Sequence, residues 1–552
     1  MKPADTADLW WKSAIYYCLD VETYLDANGD GIGDLEGLAE RIDYLADLGI
    51  SCLWLMPIYP TPDRDDGYDV SDFYGIDPRL GTHGDLVEVI RMARDRGIRV
   101  IVDLVVNHTS DRHPWFVSAR RSRTSPYRDF YVWTDEAPAD APNMIFPGEE
   151  DSIWEYDEKT EQYFLHTFYR HQPDLNIANP KVRDEIAKVI GFWVKLGISG
   201  FRVDAVPFLI EPPEGEDMGD PHAFLRDLKR FLRRRSSESM LLGEVNLPYD
   251  EQLEYFGGPE GGELDLQFDF VGMQALYLSL ARRDTTPLRT ALEARPDLPI
   301  EAGWANFVRN HDELTLDKLS DEEREEVFAA FAPDESQRIY DRGIVKRLPT
   351  MLDGDPRRIR MVYSLMFSLP GAPVLFYGEE IGMAEDARVT DRLAVRTPMQ
   401  WTAETKGGFS TAAPSKWPGQ FPEDGYAPRF VNAAAQRNDP DSLLQFVRHL
   451  TSRYRTSPEI GWGELRILAQ ENDALLVHGV RSDLGHLIAV HNFDDVPCVA
   501  RIDVGDEPEG TVLSDLFGAG VHRADDAVVE IDVAPFGWHW FRVHRPGEEI
   551  LV

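Results

Sequence analysis

Gly200-Phe-Arg-Val-Asp-Ala-Val206 reads as a short buried strand that delivers two charged side chains at its C-terminal end. Side chains alternate along a strand, so Arg202 and Asp204 share a face. Gly200 permits close backbone approach where the strand begins. A guanidinium beside a carboxylate favours the ionised form of that carboxylate. An ionised, positioned Asp is what covalent catalysis at a sugar carbon requires. The same pair also serves as a structural ion pair at a strand end, and only the surrounding chain separates the two readings.

Outward from this stretch, apolar β-rich runs recur at Ile15–Leu19, Cys52–Met56, Val100–Val105, Leu241–Glu244, Leu266–Phe268, Ala305–Arg309 and Val374–Tyr377. Amphipathic stretches lie between most of them. Leu35–Leu48, Leu86–Arg96 and Val182–Leu196 each end just before a glycine (Gly49, Gly97, Gly197) suited to a left-handed helix stop. Eight buried strands alternating with helices predict an α/β fold, a (β/α)8 TIM barrel. From Asn107 to Pro180 the chain turns aromatic and irregular, too long for a loop, which predicts an inserted subdomain after the third strand. A second irregular stretch, Ala384–Asn432, follows the eighth strand, and a helix over Ser442–Tyr454 closes the barrel. Short alternating runs at Leu465–Leu468, Ala474–Val480, His486–Asn492, Thr511–Leu516 and Phe536–Val543 predict a C-terminal antiparallel β-sandwich. The expected boundaries are 1–107 and 180–460 for the barrel, 108–179 for the insertion and 461–552 for the β-domain.

The chain has 552 residues and a formal net charge of −40, with 97 acidic against 57 basic residues. Such a field repels nucleic acid and anionic membranes, so neither is expected as a partner. No apolar run is long enough to span a bilayer, and Met1 to Leu9 lacks a basic segment followed by an apolar run, as a signal peptide would have. The 3 cysteines, Cys18, Cys52 and Cys498, show no metal-ligand spacing and fit a reducing compartment. A cytoplasmic enzyme is the expectation; oligomeric state is not legible.

In such a barrel the active site lies at the C-terminal ends of the strands. Those ends carry Asp103-Leu-Val-Val-Asn-His108, then Arg202 and Asp204, then Glu244, then Arg309-Asn-His-Asp-Glu313. Four separate strand ends offering a His or a carboxylate make coincidence a poor explanation. Two carboxylates flanking a glycosidic bond are the minimum for glycoside chemistry. Asp204, paired with Arg202, suits the nucleophile, and Glu244 the acid/base. Asp312 would hold sugar hydroxyls in the transition state, with His108 and His311 donating to the same hydroxyls.

Asp103–His108, Gly200–Asp204, Glu244 and Asn310-His311-Asp312 resemble the four signature regions of the α-amylase superfamily, glycoside hydrolase family 13. The resemblance spans essentially the whole chain. It implies a retaining double displacement at α-glucosidic bonds, with Asp204 as nucleophile, Glu244 as acid/base and Asp312 as transition-state stabiliser. Gln172-Pro-Asp-Leu-Asn176 is similar to the marker of the oligo-1,6-glucosidase-like members. Asp65-Asp-Gly-Tyr68 resembles the site that clamps the non-reducing glucose, Asp65 on hydroxyls and Tyr68 stacking. Arg309–Thr315, Leu369–Leu375 and Val395–Trp401 resemble the branch that isomerises maltose to trehalose in one closed pocket, which Arg396 would help to close. Leu393 and Ala394, Val245–Pro248 and Phe268–Gly272 depart from that branch and bear on acceptor choice; the alternative is a hydrolase of short α-glucosides, an α-glucosidase or amylase. A non-catalytic partner subunit, the remote alternative, would have lost the catalytic carboxylates that are present here.

Asp26-Ala-Asn-Gly-Asp-Gly-Ile-Gly-Asp34 places oxygen ligands at alternate positions. It resembles the calcium loop of the family, with Asp26, Asn28, Asp30 and Asp34 as side-chain ligands and Ile32 through its carbonyl. The downstream bidentate Glu of an EF-hand is not in place. The resemblance also implies a second ion at Asn107 and Asp174. A structural Ca2+ and no organic cofactor are therefore expected, with maltose or a short malto-oligosaccharide as the small-molecule partner. The aromatics Trp133, Trp154, Tyr163 and Phe164 are read as local core or as sugar-stacking surface.

Overall fold

Eight short strands close into a parallel barrel: β1 (Tyr16–Leu19), β2 (Cys52–Leu55), β3 (Arg99–Leu104), β4 (Gly200–Val203), β5 (Met240–Gly243), β6 (Leu266–Phe268), β7 (Gly303–Asn306) and β8 (Ala372–Phe376). Neighbours in sequence pair all the way round, and β8 returns to β1 with Tyr16 opposite Val374. Nearly every strand residue is buried, as a parallel sheet covered on both faces requires. The computed structural model describes residues 9–138, 145–210, 220–524 and 527–547; Met1 to Asp8 lie outside the described residues.

The helix expected over Val182–Leu196 ends where the sequence predicts. Helix Pro180–Leu196 starts on an Asn179 cap with Pro at its first position and stops at Gly197, φ 114°. The single helix expected over Leu35–Leu48 is instead two, Leu35–Glu40 and Ile42–Leu48, broken at Arg41. There the guanidinium lies over the Trp401 ring at 4.5 Å, a tertiary contact that local periodicity cannot register. The seventh strand ends at Asn306, three residues before the expected end. The Asn306 side chain leaves the ladder and bonds the carbonyls of Leu369 and Pro370, both at 3.2 Å.

The insertion carries a three-stranded sheet of Trp133–Thr134, Trp154–Asp157 and Gln162–Leu165. Single bridges His108–Asp174 and Tyr131–Leu175 tie its return to the end of β3. Of its aromatics Phe164 is local core, buried against Phe116 at 5.0 Å, and Trp133 is half-buried with Arg128 on its face at 3.3 Å, whereas Tyr163 packs at 5.0 Å on Tyr156, which is 46% exposed. In the C-terminal domain a six-stranded antiparallel sheet faces a two-stranded one formed by Cys498–Asp503 and Val528–Val533. Those two strands were not read from the sequence; Ala500, Ile502, Val529, Ile531 and Val533 turn inward, while Arg501, Asp503, Glu530 and Asp532 alternate with them on the exposed face.

Candidate active site

The C-terminal ends of β2, β3, β4, β5 and β7 converge on one buried polar centre. Arg202 projects from β4 and is 1% exposed. Its Nη1 donates to Asp103 Oδ1 at 2.8 Å and also to Asp204 Oδ1, while its Nη2 pairs with Glu244 Oε2 at 2.8 Å. One planar guanidinium thus binds three carboxylates from three successive strands. Ala205 follows with φ 47°, a left-handed conformation seldom held by a residue with a side chain, and its N–H donates to Glu244 Oε2 at 3.0 Å. The strained turn therefore links the β4 carboxylate directly to the β5 carboxylate.

Asp312 enters from the loop after β7. Its Oδ2 lies 3.1 Å from His311 Nε2, and its Oδ1 accepts from Arg392 Nη1 at 3.1 Å and Arg396 Nη2 at 2.9 Å. The Tyr68 hydroxyl sits 2.7 Å from His311 Nε2 and 3.3 Å from Asp103 Oδ2, and Trp54 Nε1 donates to the same Asp103 oxygen at 3.0 Å. Asp65 pairs with Arg392 and accepts from Gln172 Nε2 at 2.6 Å. His108 is buried, with Nε2 3.2 Å from the Tyr68 carbonyl. Arg392 lies over Phe146 at 5.3 Å and Tyr169 at 5.9 Å. Aromatic and cationic groups from the insertion and from the segment after β8 thereby meet above the barrel.

Burial pushes the Asp204 carboxyl up to about 6 against the pull of Arg202, which leaves it ionised at neutral pH. Burial also raises Glu244; Arg202 opposes this, and the negative Asp204 and Asp312 add to it. Burial opposes the charge on Asp312 too, but His311, Arg392 and Arg396 overcome it and hold the group well below the usual carboxylate range. Burial keeps His108 neutral, lowering it to about 4. The three carboxyls so differ in proton affinity within one pocket, which suits acid–base and nucleophilic work side by side.

Asp204, Glu244, Asp312, Asp65, Tyr68, His108, Arg202, His311 and Arg396 all belong to this one contact network. Asp103, Trp54, Asp66 and Arg392 complete it and had been given no role. Their signals were present: Asp103 opens a quoted strand-end motif, Asp66 adjoins Asp65, and Arg392 stands four residues before Arg396.

The 26–34 loop lies apart from this centre and packs on the segment after β8. Asp26 Oδ1 and Oδ2 accept from the N–H groups of Gly29 at 2.6 Å and Gly31 at 2.8 Å. Asn28 and Asp30 each accept the N–H two residues on, both at 2.9 Å, and Asp34 Oδ1 caps the next helix through Gly37 N at 2.6 Å. Ser410 Oγ also donates to Asp26 Oδ2, and the Ala27 and Asn28 amides donate to Asp34 Oδ2 at 3.2 and 3.1 Å, so these contacts brace the turn; the donor set is oxygen-only, the hard chemistry that Ca2+ takes. Asn107 Nδ2 donates to Asp174 Oδ1 at 3.4 Å, and Thr167 N donates to Asp174 Oδ2 at 3.1 Å. Both Asn107 and Asp174 are buried.

The family profile described as Alpha amylase, catalytic domain, matches residues 21–330 and 344–463. The trehalose synthase/amylase of Mycobacterium tuberculosis (strain CDC 1551 / Oshkosh) is 40% identical over 554 residues, covering 98% of this chain and 91% of that protein. The trehalose synthase of Pimelobacter sp. (strain R48) is 39% identical over 97% of this chain and 96% of its own. Among solved structures, the trehalulose synthase of Pseudomonas mesoacidophila superposes with a TM-score of 0.77 at 26% identity, over 97% of this chain and 99% of that one. With a profile match over most of its length and relatives of this identity, the chain belongs to the α-amylase family.

Proposed function

We propose that the protein is a retaining α-glucosyl-transferring enzyme that interconverts maltose and trehalose through a covalent glucosyl–Asp204 intermediate. The observation that carries this is the single Arg202 guanidinium bound to both Asp204 and Glu244. It favours the short carboxyl separation of retaining chemistry, about 5–5.5 Å, over the wider inverting one. Asp204 attacks the anomeric carbon as the glycosidic oxygen departs with the proton of Glu244. The freed glucose turns and presents its anomeric hydroxyl. Glu244 takes that proton back as the new C–O bond forms and the ester to Asp204 breaks. Two inversions give net retention and an α,α-1,1 linkage.

The Asp65–Arg392–Asp312 chain supports a pocket for one terminal glucosyl unit, which suits a disaccharide. Water in place of glucose would make the same machinery a hydrolase. The reading is tested by incubating the protein with maltose and following anomeric protons by NMR. Trehalose accumulating ahead of free glucose is expected; glucose alone would move the protein to the α-glucosidases.

Turnover should fall on the acid side as Asp204 takes up a proton. A plot of kcat/KM against pH is expected to show an acid limb near pH 6, where burial has placed this group, and an alkaline limb set by loss of the Glu244 proton. An acid limb near the ordinary carboxylate range, about 4, would contradict the assignment.

Asp26, Asn28, Asp30, Asp34 and the Ile32 carbonyl would hold a structural Ca2+, with Asn107 and Asp174 as a second oxygen pair. Bound at the first loop, the ion would neutralise its carboxylates and fix the turn. Chelation with EGTA should then lower the Tm, since an ion at 100 times its Kd contributes about 2.7 kcal/mol. An unchanged Tm, and an unchanged Tm in Asp30→Ala, would remove the ion from the account. No helix among the described residues is long and apolar enough to cross a membrane, and the three free thiols support a cytoplasmic setting.

A further inference from the structure

Asp65 and Asp66 are neighbours in sequence, yet each takes a different arginine. Asp65 binds Arg392; Asp66 binds Arg396 through Nη1. Both arginines then converge on one atom, Asp312 Oδ1, at 3.1 Å from Arg392 Nη1 and 2.9 Å from Arg396 Nη2. The arrangement is a doubled clamp of two aspartates and two arginines on one shared oxygen. Backbone strain sets it up: Asp66 has φ 50° and Gly67 φ 92°, both left-handed.

The two halves of the clamp differ. Asp65 and Arg392 lie among the aromatic groups above the barrel. Arg396 is 3% exposed, and each of its three nitrogens has its own acceptor: Nε on the His311 carbonyl at 2.9 Å, Nη1 on Asp66, Nη2 on Asp312. Three acceptors in three directions fix both the plane and the position of a guanidinium. Asp66 has other carboxylates behind it. One carboxylate oxygen each of Asp20 and Glu22 lies within 4.8 Å of one of Asp66, and Glu22 Oε2 lies 3.2 Å from Arg79 Nη1. None of this reaches Asp204 or Glu244. Replacing the Asp66 carboxylate by a neutral group weakens the charge-assisted bond on Arg396 Nη1 and lets it turn toward Asp312, which already carries Arg392.

We propose that Asp66 is a positioning residue: by holding one nitrogen of Arg396 it sets the other on Asp312 Oδ1, and so fixes the carboxylate that grips the glucosyl unit in the transition state. The proposal rests on the roles given above to Asp204, Glu244 and Asp312.

The test compares kcat and KM of the wild type, Asp66→Asn, Arg396→Lys and the double variant on maltose and on α-glucosyl fluoride. A displacement of Asp312 by a fraction of an ångström should lower kcat about 10- to 100-fold. KM should stay within about threefold, because the lost contact belongs to the transition state. The loss should appear on both substrates, since departure of fluoride spares the proton of Glu244 but not the grip of Asp312. The double variant should be no slower than the slower single one, because both changes act through one contact. Wild-type kcat in Asp66→Asn, a change in KM alone, or losses that multiply in the double variant would overturn the proposal. If Asp66→Asn does not fold, Asp66→Glu carries the same test: charge is kept, reach is wrong, and wild-type kcat would again overturn it. A wild type inert on every α-glucoside would defeat the functional reading itself, whereas an active wild type beside an unaffected Asp66→Asn defeats only this inference.

Discussion

Asp204→Asn is expected to abolish α-glucoside turnover, by about 10⁴-fold or more, while leaving the fold intact. The amide keeps the shape of the carboxylate and an oxygen for Arg202, but it cannot form the glucosyl ester. The two remaining carboxylates on Arg202, Asp103 and Glu244, both at 2.8 Å, still balance the guanidinium. Burial in the wild type works against the Asp204 charge, so loss of that charge relieves a desolvation cost. The Tm should therefore match or exceed that of the wild type. NMR of maltose mixtures should show no trehalose and no glucose, and mass spectra of protein quenched with α-glucosyl fluoride should show no added hexose. Activity within tenfold of the wild type would remove Asp204 from the role of nucleophile.

Arg202→Met should be the most disruptive single change in the barrel. It leaves Asp103, Asp204 and Glu244 facing one another without the guanidinium that, among the described residues, pairs with all three. Removing one partner of a buried ion pair costs about 3–5 kcal/mol, because the other charges stay behind uncompensated. The three carboxyls respond by taking up protons, so Asp204 becomes largely neutral at pH 7 and cannot attack. A rise of about two units from its value of about 6 would cut the ionised fraction of Asp204 at pH 7 from about nine-tenths to about one-tenth, so turnover should fall about 10-fold from this cause alone. The distinguishing sign is partial recovery as pH rises, since alkali restores the ionised Asp204. Urea denaturation and a pH–rate profile check both parts. A variant with wild-type stability and an unshifted acid limb would show that Arg202 does not govern these charges.

Much of this site was legible because the barrel obliges its chemistry to appear at strand ends. Asp204, Glu244 and Asp312 each stand just beyond an apolar run, and a run flanked by helix stops locates such a position without a structure. Arg202 was legible for a similar reason: period-two alternation places it beside Asp204, and the pair does form. The loop over 26–34 was read from its alternate oxygens and from its likeness to the calcium loop of the family.

Other features depend on contacts that cross hundreds of residues. Arg392 reaches Asp65 across 327 positions, and Arg396 reaches Asp66 across 330. Arg396 was singled out by its motif, but no local pattern shows which aspartates these two arginines reach. The break at Arg41 and the early end of β7 have the same origin, since Trp401 and the carbonyls of Leu369 and Pro370 act through space. The sequence by itself determined the barrel, its covering helices and the strand-end placement of Asp204, Glu244 and Asp312, because hydrophobic periodicity and strand-end placement are local properties. Only the tertiary structure decided how those carboxylates are charged and aimed, because burial and convergence of distant guanidinium groups set the proton affinity and orientation of each one.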